Sequence, residues 1–81
     1  MNINILTPEK LIFNGVAKGI SLPGTSGYFE LLDKHAPLIA SLKQGTIKVI
    51  LDDGKDENFS IKDGFVECIN NSVSVMVEGI V

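Results

Sequence analysis

The side chains that could do chemistry are few and are not grouped along the chain. His35 is the only histidine and Cys68 the only cysteine among the 81 residues. General acid–base catalysis needs a partner that positions the imidazole, and a zinc site needs three or four ligands. His35 has neither in its His-Ala-Pro setting, and Cys68 has no Lys or His beside it to favour a thiolate. We therefore expect no catalytic or metal-binding residue, with His35 structural or at an interface and Cys68 a small buried hydrophobe.

Two further groups of residues imitate functional motifs. The carboxylates between Asp52 and Glu57 lack the calcium-loop spacing that ends in Glu, so we interpret them as a solvated hairpin tip that discourages edge pairing. Gly24 and Gly27 flank two small polar residues, but a phosphate-binding loop would lead into a helix and a Lys. A strand-like pair, Tyr28-Phe29, follows instead. The pattern predicts a turn with positive φ and no bound cofactor.

Composition excludes several classes of partner. The formal net charge is −3, and all seven basic residues are Lys. Nucleic-acid binding needs a basic face and usually Arg, so no nucleic acid is expected. No stretch approaches the roughly 20 apolar residues of a membrane-spanning helix, so direct membrane insertion is not expected. The length predicts one domain over residues 1–81, and the single cysteine fits a reducing compartment.

Hydrophobic periodicity indicates the elements that position these residues. Apolar residues alternate with a period of two, most clearly in residues 72–78, which predicts about eight to ten short strands in a β-sandwich or flattened barrel. Asn14-Gly15 and Asp53-Gly54 predict hairpin turns, and Asp63-Gly64 and Asn70-Asn71 predict further turns. Residues 65–69 carry apolar side chains on both faces, which is typical of a strand covered on two sides. Residues 34–42 are the only candidate for a helical turn.

Residues 28–38 are more apolar than a solvent-exposed loop with no partner requires. Phe29, Leu31 and Leu38 are candidates for the core. Alternation places Tyr28 and Leu32 on the opposite face from Phe29 and Leu31, beside polar groups. Exposed aromatic and apolar side chains next to polar ones are typical of a docking patch. We interpret residues 24–38 as the segment through which the domain docks onto other proteins.

Three stretches carry a resemblance to a known family. Residues 23–29 (PGTSGYF), 35–38 (HAPL) and 42–47 (LKQGTI) resemble the signature of the epsilon subunit of F-type ATP synthase. The resemblance covers essentially the whole chain. It implies a ten-stranded β-sandwich of mostly antiparallel strands, and a non-catalytic rotor subunit in the central stalk that links the gamma subunit to the ring of c subunits. It also implies a peripheral location on the cytoplasmic face of the bacterial inner membrane.

The resemblance further implies roles for individual residues. The expected contacts with the c ring are Tyr28, Glu30 and Leu32. The expected contacts with gamma are Thr7, His35 and Ala40. The expected structural turn residues are Gly24, Gly27, Pro37 and Gly45. Family members commonly continue into two C-terminal helices, some of which bind ATP. A chain without them is expected to bind no nucleotide.

An alternative hypothesis, from another functional class, is that the chain is a small-ligand-binding or carrier β-barrel. It would need an internal pocket lined by apolar side chains with a few polar groups. The alternating strands supply enough Val, Ile, Leu and Phe to fill a small sandwich, which argues against such a pocket.

Overall fold

Alternating side chains produce strands throughout the described part of the chain. The computed structural model describes residues 1–80 and contains eight strands there: β1 (Asn2–Leu6), β2 (Leu11–Gly24), β3 (Gly27–Leu32), β4 (Leu38–Leu42), β5 (Gly45–Leu51), β6 (Asp56–Ile61), β7 (Asp63–Ile69) and β8 (Ser72–Glu78). The predicted all-β class is confirmed, with eight strands rather than ten. Within residues 1–80 no helix has the length and apolar character that crossing a membrane would require.

The long strand β2 shapes the molecule, because its two halves belong to different layers. Its first half pairs with β1, and its second half pairs with β3 on one side and β5 on the other. One layer therefore contains β4, β7, β8, β1 and the start of β2, and the other contains β3, the end of β2, β5 and β6. A single pair between Gly24 and Leu42 joins the far end of β2 to β4. The result is a flattened barrel in which most pairings are antiparallel and β1 runs parallel to β8.

Two predicted turns are wrong, and both lie inside strands. Asn14 and Gly15 sit within β2, where they pair with Asn4 and Ile3 of β1. The residues before and after this pair, which a hairpin would place side by side, are therefore consecutive parts of one strand. Gly64 lies in β7, where a Cβ atom would meet the carbonyl oxygen of Met76, so this glycine permits close strand packing. The region 34–42, which was only a candidate for a helical turn, ends instead in a strand, since Leu38–Leu42 forms β4 against β7.

Other turns are where the sequence predicts them. Gly54 adopts a φ of 90° between β5 and β6, and Asn70 and Asn71 adopt φ values of 50° and 61° between β7 and β8. Asn tolerates this left-handed region better than most residues, because its short side chain can bond the local backbone.

The inward face of each strand supplies the core. The buried side chains are Met1, Ile3, Ile5, Ala17, Ile20, Leu22, Leu31, Leu42, Ile47, Val49, Ile61, Val66, Cys68, Val73, Val75 and Val77. Phe29, Leu38 and Ala40 are partly buried against them, and the Phe13 and Phe59 rings meet edge to face at 6.1 Å. Burial of each large aliphatic side chain contributes about 1.5–3 kcal/mol, so this interior holds the two layers together. Cys68 is the small buried hydrophobe that the sequence predicts.

Candidate docking site

The strand β3 separates its side chains into two sets. Leu31 is fully buried and Phe29 is partly buried, which confirms their predicted place in the core. Tyr28, Glu30 and Leu32 point to the opposite face, and Tyr28 and Leu32 remain 60% and 53% exposed. The three residues expected to contact the c ring therefore form one outward row along a single strand.

Tyr28 and Leu32 also pack over glycines of neighbouring strands, where no side chain covers the backbone. A Cβ atom on Gly45 would lie 2.6 Å from the Tyr28 hydroxyl and 2.7 Å from Pro23. The backbone N–H of Thr46 donates a hydrogen bond of 2.9 Å to that hydroxyl. At the other end of β3, the Leu32 side chain lies over Gly19. Both exposed residues thus contact the scaffold as well as solvent.

The predicted turn before β3 is confirmed. Gly27 has a φ of 127°, a region that residues with a side chain rarely adopt. Gly24 is needed for space, because a Cβ atom there would lie 2.7 Å from the Gly27 carbonyl oxygen and 2.8 Å from the Phe29 ring. Thr25 N–H donates to the Ser41 carbonyl at 3.1 Å, which attaches the turn to β4.

The connection between β3 and β4 presents His35 to solvent. The His35 N–H donates to the Leu32 carbonyl at 3.1 Å, and its ring Nδ1–H donates to the Ala36 carbonyl at 2.6 Å. The imidazole is thereby fixed by its own loop, just before Pro37. This geometry fits the structural or interface role predicted for His35.

A hydrogen-bonded clamp, which the sequence did not reveal, holds this loop. The Asn71 amide oxygen accepts from the Lys34 N–H at 2.7 Å, and its Nδ2 donates to Asp33 Oδ1 at 2.8 Å. The N-terminal ammonium of Met1 donates to the same Asp33 oxygen at 3.0 Å. The clamp therefore joins Asn71 to Lys34 and Asp33, which lie 37 and 38 positions before it in the sequence. The only sequence signal was the Asn-Asn turn, which says nothing about its distant partner.

The clamp also changes the acidity of its carboxyl group. The hydrogen bond from the Asn71 side chain, followed by that from the Met1 ammonium, holds the pKa of Asp33 below its ordinary value. Both donors stabilise the charged carboxylate, which is the form the clamp requires.

The three residues expected to contact gamma do not form one cluster. Thr7 follows the end of β1, where its Oγ1 accepts from the Lys10 N–H at 3.1 Å and stabilises a tight turn. His35 lies at the opposite end of the same layer, close to the β7–β8 turn. Ala40 lies between them on β4, but packs inward against the core. Their contacts with a partner stay predictions.

An exposed apolar face lies between Thr7 and His35. Outward residues of β4 and β7 include Ile39, Phe65 and Ile69, which are 73%, 50% and 50% exposed. Glu67 interrupts them on β7, while the neighbouring outward positions of β8 and β1 include Ser72, Ser74, Asn2 and Asn4. The sequence indicated a second covered face here, because residues 65–69 carry apolar side chains on both sides of the strand. In the isolated chain the core covers only one of them.

The acidic hairpin tip and the interior are built from ordinary structural contacts. Among residues 1–80 no cluster of His, Cys, Asp or Glu is arranged to hold a metal ion. Asp53 accepts a hydrogen bond from the Lys55 N–H within its hairpin tip, as a turn residue does. The buried apolar side chains of both layers pack into one cluster, as a filled small sandwich requires.

Known proteins share this sequence and fold. Residues 1–81 match the family described as ATP synthase, Delta/Epsilon chain, beta-sandwich domain. The ATP synthase epsilon chain of a Nitratiruptor species is 43% identical over 81 residues, which is 100% of this chain and 63% of that protein. The ATP synthase epsilon chain of Chlorobium limicola is 36% identical over 78 residues, covering 96% of this chain and 89% of that protein.

Solved structures extend the comparison to the fold. A chain in the cryo-EM structure of the Euglena gracilis mitochondrial ATP synthase OSCP/F1/c-ring superimposes with a TM-score of 0.91 at 18% identity, over 98% of this chain and 51% of that one. A chain from the Tetrahymena thermophila mitochondrial ATP synthase central stalk/c-ring gives a TM-score of 0.81 at 17% identity, over 99% of this chain and 64% of that one. The β-sandwich architecture is thus shared with both.

Proposed function

Because the chain belongs to the family of ATP synthase delta and epsilon chains, whose β-sandwich domain it matches along its whole length, we propose that it is a non-catalytic subunit of a proton- or sodium-translocating ATP synthase. In this role it forms part of the central stalk and links the gamma subunit to the c ring. The complex places it peripherally on the cytoplasmic face of a bacterial inner membrane.

The observation that carries this proposal is the exposed apolar face of β4 and β7. A small domain gains nothing from leaving Ile39, Phe65 and Ile69 in water, whereas a partner that covers them removes apolar surface from solvent. Thr7 and His35 border this face at its two ends. A gamma subunit that covers the face would therefore reach both residues, although they are far apart from each other.

The c ring is assigned to a different surface. Tyr28, Glu30 and Leu32 lie on the outer side of β3, which belongs to the other layer. The three side chains offer an aromatic ring, a charge and an aliphatic group in one row. Two partners can then bind at once, as a linking subunit requires.

Co-purification tests the assignment of partners. The chain is expressed with the gamma subunit and c ring of its own organism, and each partner is quantified after affinity capture. Ile39→Ser with Phe65→Ser should remove gamma, and Leu32→Ser should reduce the c ring. Lys48→Ser, on the outer side of β5 and in the other layer from β4 and β7, is the control for the gamma variant. Thermal melting checks that every variant is folded.

Retention of gamma by the folded Ile39→Ser, Phe65→Ser variant would show that this face is not the gamma interface. Failure of the unmodified chain to capture either partner would reject the proposed function itself.

A further inference from the structure

Among residues 1–80, one edge of β3 has no strand paired to it. Within this range the strand pairs only with β2, through a register in which Tyr28 faces Pro23 and Glu30 faces Ser21. Proline has no N–H to donate, and the Pro23 carbonyl accepts from the Lys43 N–H at 2.8 Å, away from β3. The Pro23–Tyr28 pair is therefore a non-hydrogen-bonded pair of the antiparallel ladder.

Alternation of the ladder then fixes the direction of the remaining backbone groups. Phe29 and Leu31 exchange hydrogen bonds with β2, while Tyr28, Glu30 and Leu32 direct their N–H and C=O groups toward the open edge. The Leu32 carbonyl is used by the His35 N–H. Among the backbone hydrogen bonds described outside the strand ladders, none uses Tyr28 or Glu30.

The two edges of this layer differ in a way that indicates a role. The strand β6, at the other edge, begins with Asp56 and Glu57 and follows the acidic turn that contains Asp52 and Asp53. Such charges discourage another strand from pairing. The sequence of β3, Gly-Tyr-Phe-Glu-Leu-Leu, carries one charge and is otherwise apolar. An edge of this kind is a template for strand addition.

Glu30 decides which strand the edge accepts. It is exposed, and within the described residues it forms no salt bridge. If a second copy of this chain paired antiparallel with the pairing centred on Glu30, this residue would face its own copy, and like charges directly opposite are destabilising. A strand with Lys or Arg at this position gains an attractive cross-strand pair instead. Apolar residues two positions to either side would then meet Tyr28 and Leu32.

We propose that the free edge of β3 binds an extended segment of a partner protein as an added strand, with a basic residue opposite Glu30 and apolar residues on both sides of it. This inference rests on the proposed docking role of Tyr28, Glu30 and Leu32, and it adds the backbone as the main contact. The partner segment is recognised by its alternation, apolar–x–basic–x–apolar, and by an extended conformation.

The experiment uses the full chain labelled with ¹⁵N and two blocked synthetic peptides, Thr-Val-Thr-Lys-Thr-Val-Thr and its counterpart with Glu in place of Lys. Amide hydrogen exchange and NMR shifts are followed during titration. The Lys peptide should protect the amides of Tyr28, Glu30 and Leu32, with little change at Phe29 and Leu31. The Glu peptide should bind about fivefold more weakly, and Glu30→Lys should reverse this preference.

A second variant removes the edge without disturbing the fold. Glu30→Pro deletes an N–H that β2 does not use, so the domain should stay folded and bind neither peptide. Glu57→Lys on β6 is the matched control and should leave the peptide preference unchanged.

The inference is overturned if the shifts map to Ile39, Phe65 and Ile69, if Glu30→Pro binds as well as the unmodified chain, or if neither peptide binds. Protection that depends on protein concentration without peptide would also overturn it, since a second copy would then occupy the edge. Capture of gamma and the c ring without edge protection rejects only this inference. Edge protection without capture of those partners rejects only the proposed function.

Discussion

Tyr28 combines an exposed ring with a hydroxyl that serves the fold. Its oxygen accepts the Thr46 N–H at 2.9 Å, at the start of β5. We expect Tyr28→Phe to lower the free energy of unfolding by about 0.5–1.5 kcal/mol, because one hydrogen bond is lost while the ring still covers Gly45. Urea denaturation measures the change. An unchanged midpoint would mean that water replaces the hydroxyl without cost.

Asp33 predicts a dependence of stability on pH. Its pKa is lowered from the ordinary value of 3.8 in the folded chain, so the clamp contributes fully above that value and its contribution disappears as pH falls through the lowered pKa. Melting temperatures between about pH 2 and 6 should therefore fall less steeply in Asp33→Asn than in the unmodified chain. Asp52→Asn, in the exposed turn between β5 and β6, is the control. Equal slopes for both variants would show that Asp33 gives the clamp no special sensitivity to acid.

At the scale of elements, the clamp joins the β3–β4 loop to the β7–β8 turn. Asn71→Gly keeps a residue that accepts the φ of 61° but deletes both side-chain hydrogen bonds. We expect a loss of about 1 kcal/mol and faster amide exchange at Lys34 and His35, because the bonds are exposed and exchange with water.

Asn70→Gly is the matched variant for this test. Asn70 has a φ of 50° in the same turn, and none of the clamp bonds involves its side chain. Its replacement should leave exchange in the β3–β4 loop unchanged. Similar acceleration in both variants would assign the effect to a looser turn rather than to the clamp.

Alternation was sufficient to predict strands, because the side chains of a half-buried strand must divide between core and solvent. It also placed Phe29 and Leu31 inside and Tyr28 and Leu32 outside. The turn prediction failed at Asn14-Gly15. That pair is typical of hairpins, and the sequence does not show that β1 lies beside it. Turn residues report local backbone preference, whereas pairing is decided by distant strands.

The candidate site was predictable to a similar extent. The outward row of β3 follows from a period of two. The clamp between Asp33 and Asn71 and the face formed by Ile39 and Phe65 depend on which strands become neighbours. Each feature joins residues from separate elements, so no single stretch of sequence contains its signal.

At the scale of the whole molecule, β2 ties the two layers into one cooperative unit. Its 14 residues pair with β1 in one layer and with β3 and β5 in the other. Neither layer can separate without breaking this strand, so we expect two-state unfolding. Amide exchange under native conditions should give Phe13 and Leu22, in the two halves of β2, the same opening free energy. A clearly lower value for one half would reveal a layer that opens alone.

The parallel pairing of β1 with β8 has a consequence for synthesis. Asn2 is paired with Ser72, so β1 cannot complete its pairing until β8 has been synthesised. At about 5–20 residues per second, translation leaves β1 without this neighbour for roughly 3–14 s. During that interval Ile3 and Ile5 lack the valines of β8 that later cover them. The barrel is therefore completed only after β8 has been synthesised, and until then β1 is the segment that a ribosome-associated chaperone would meet.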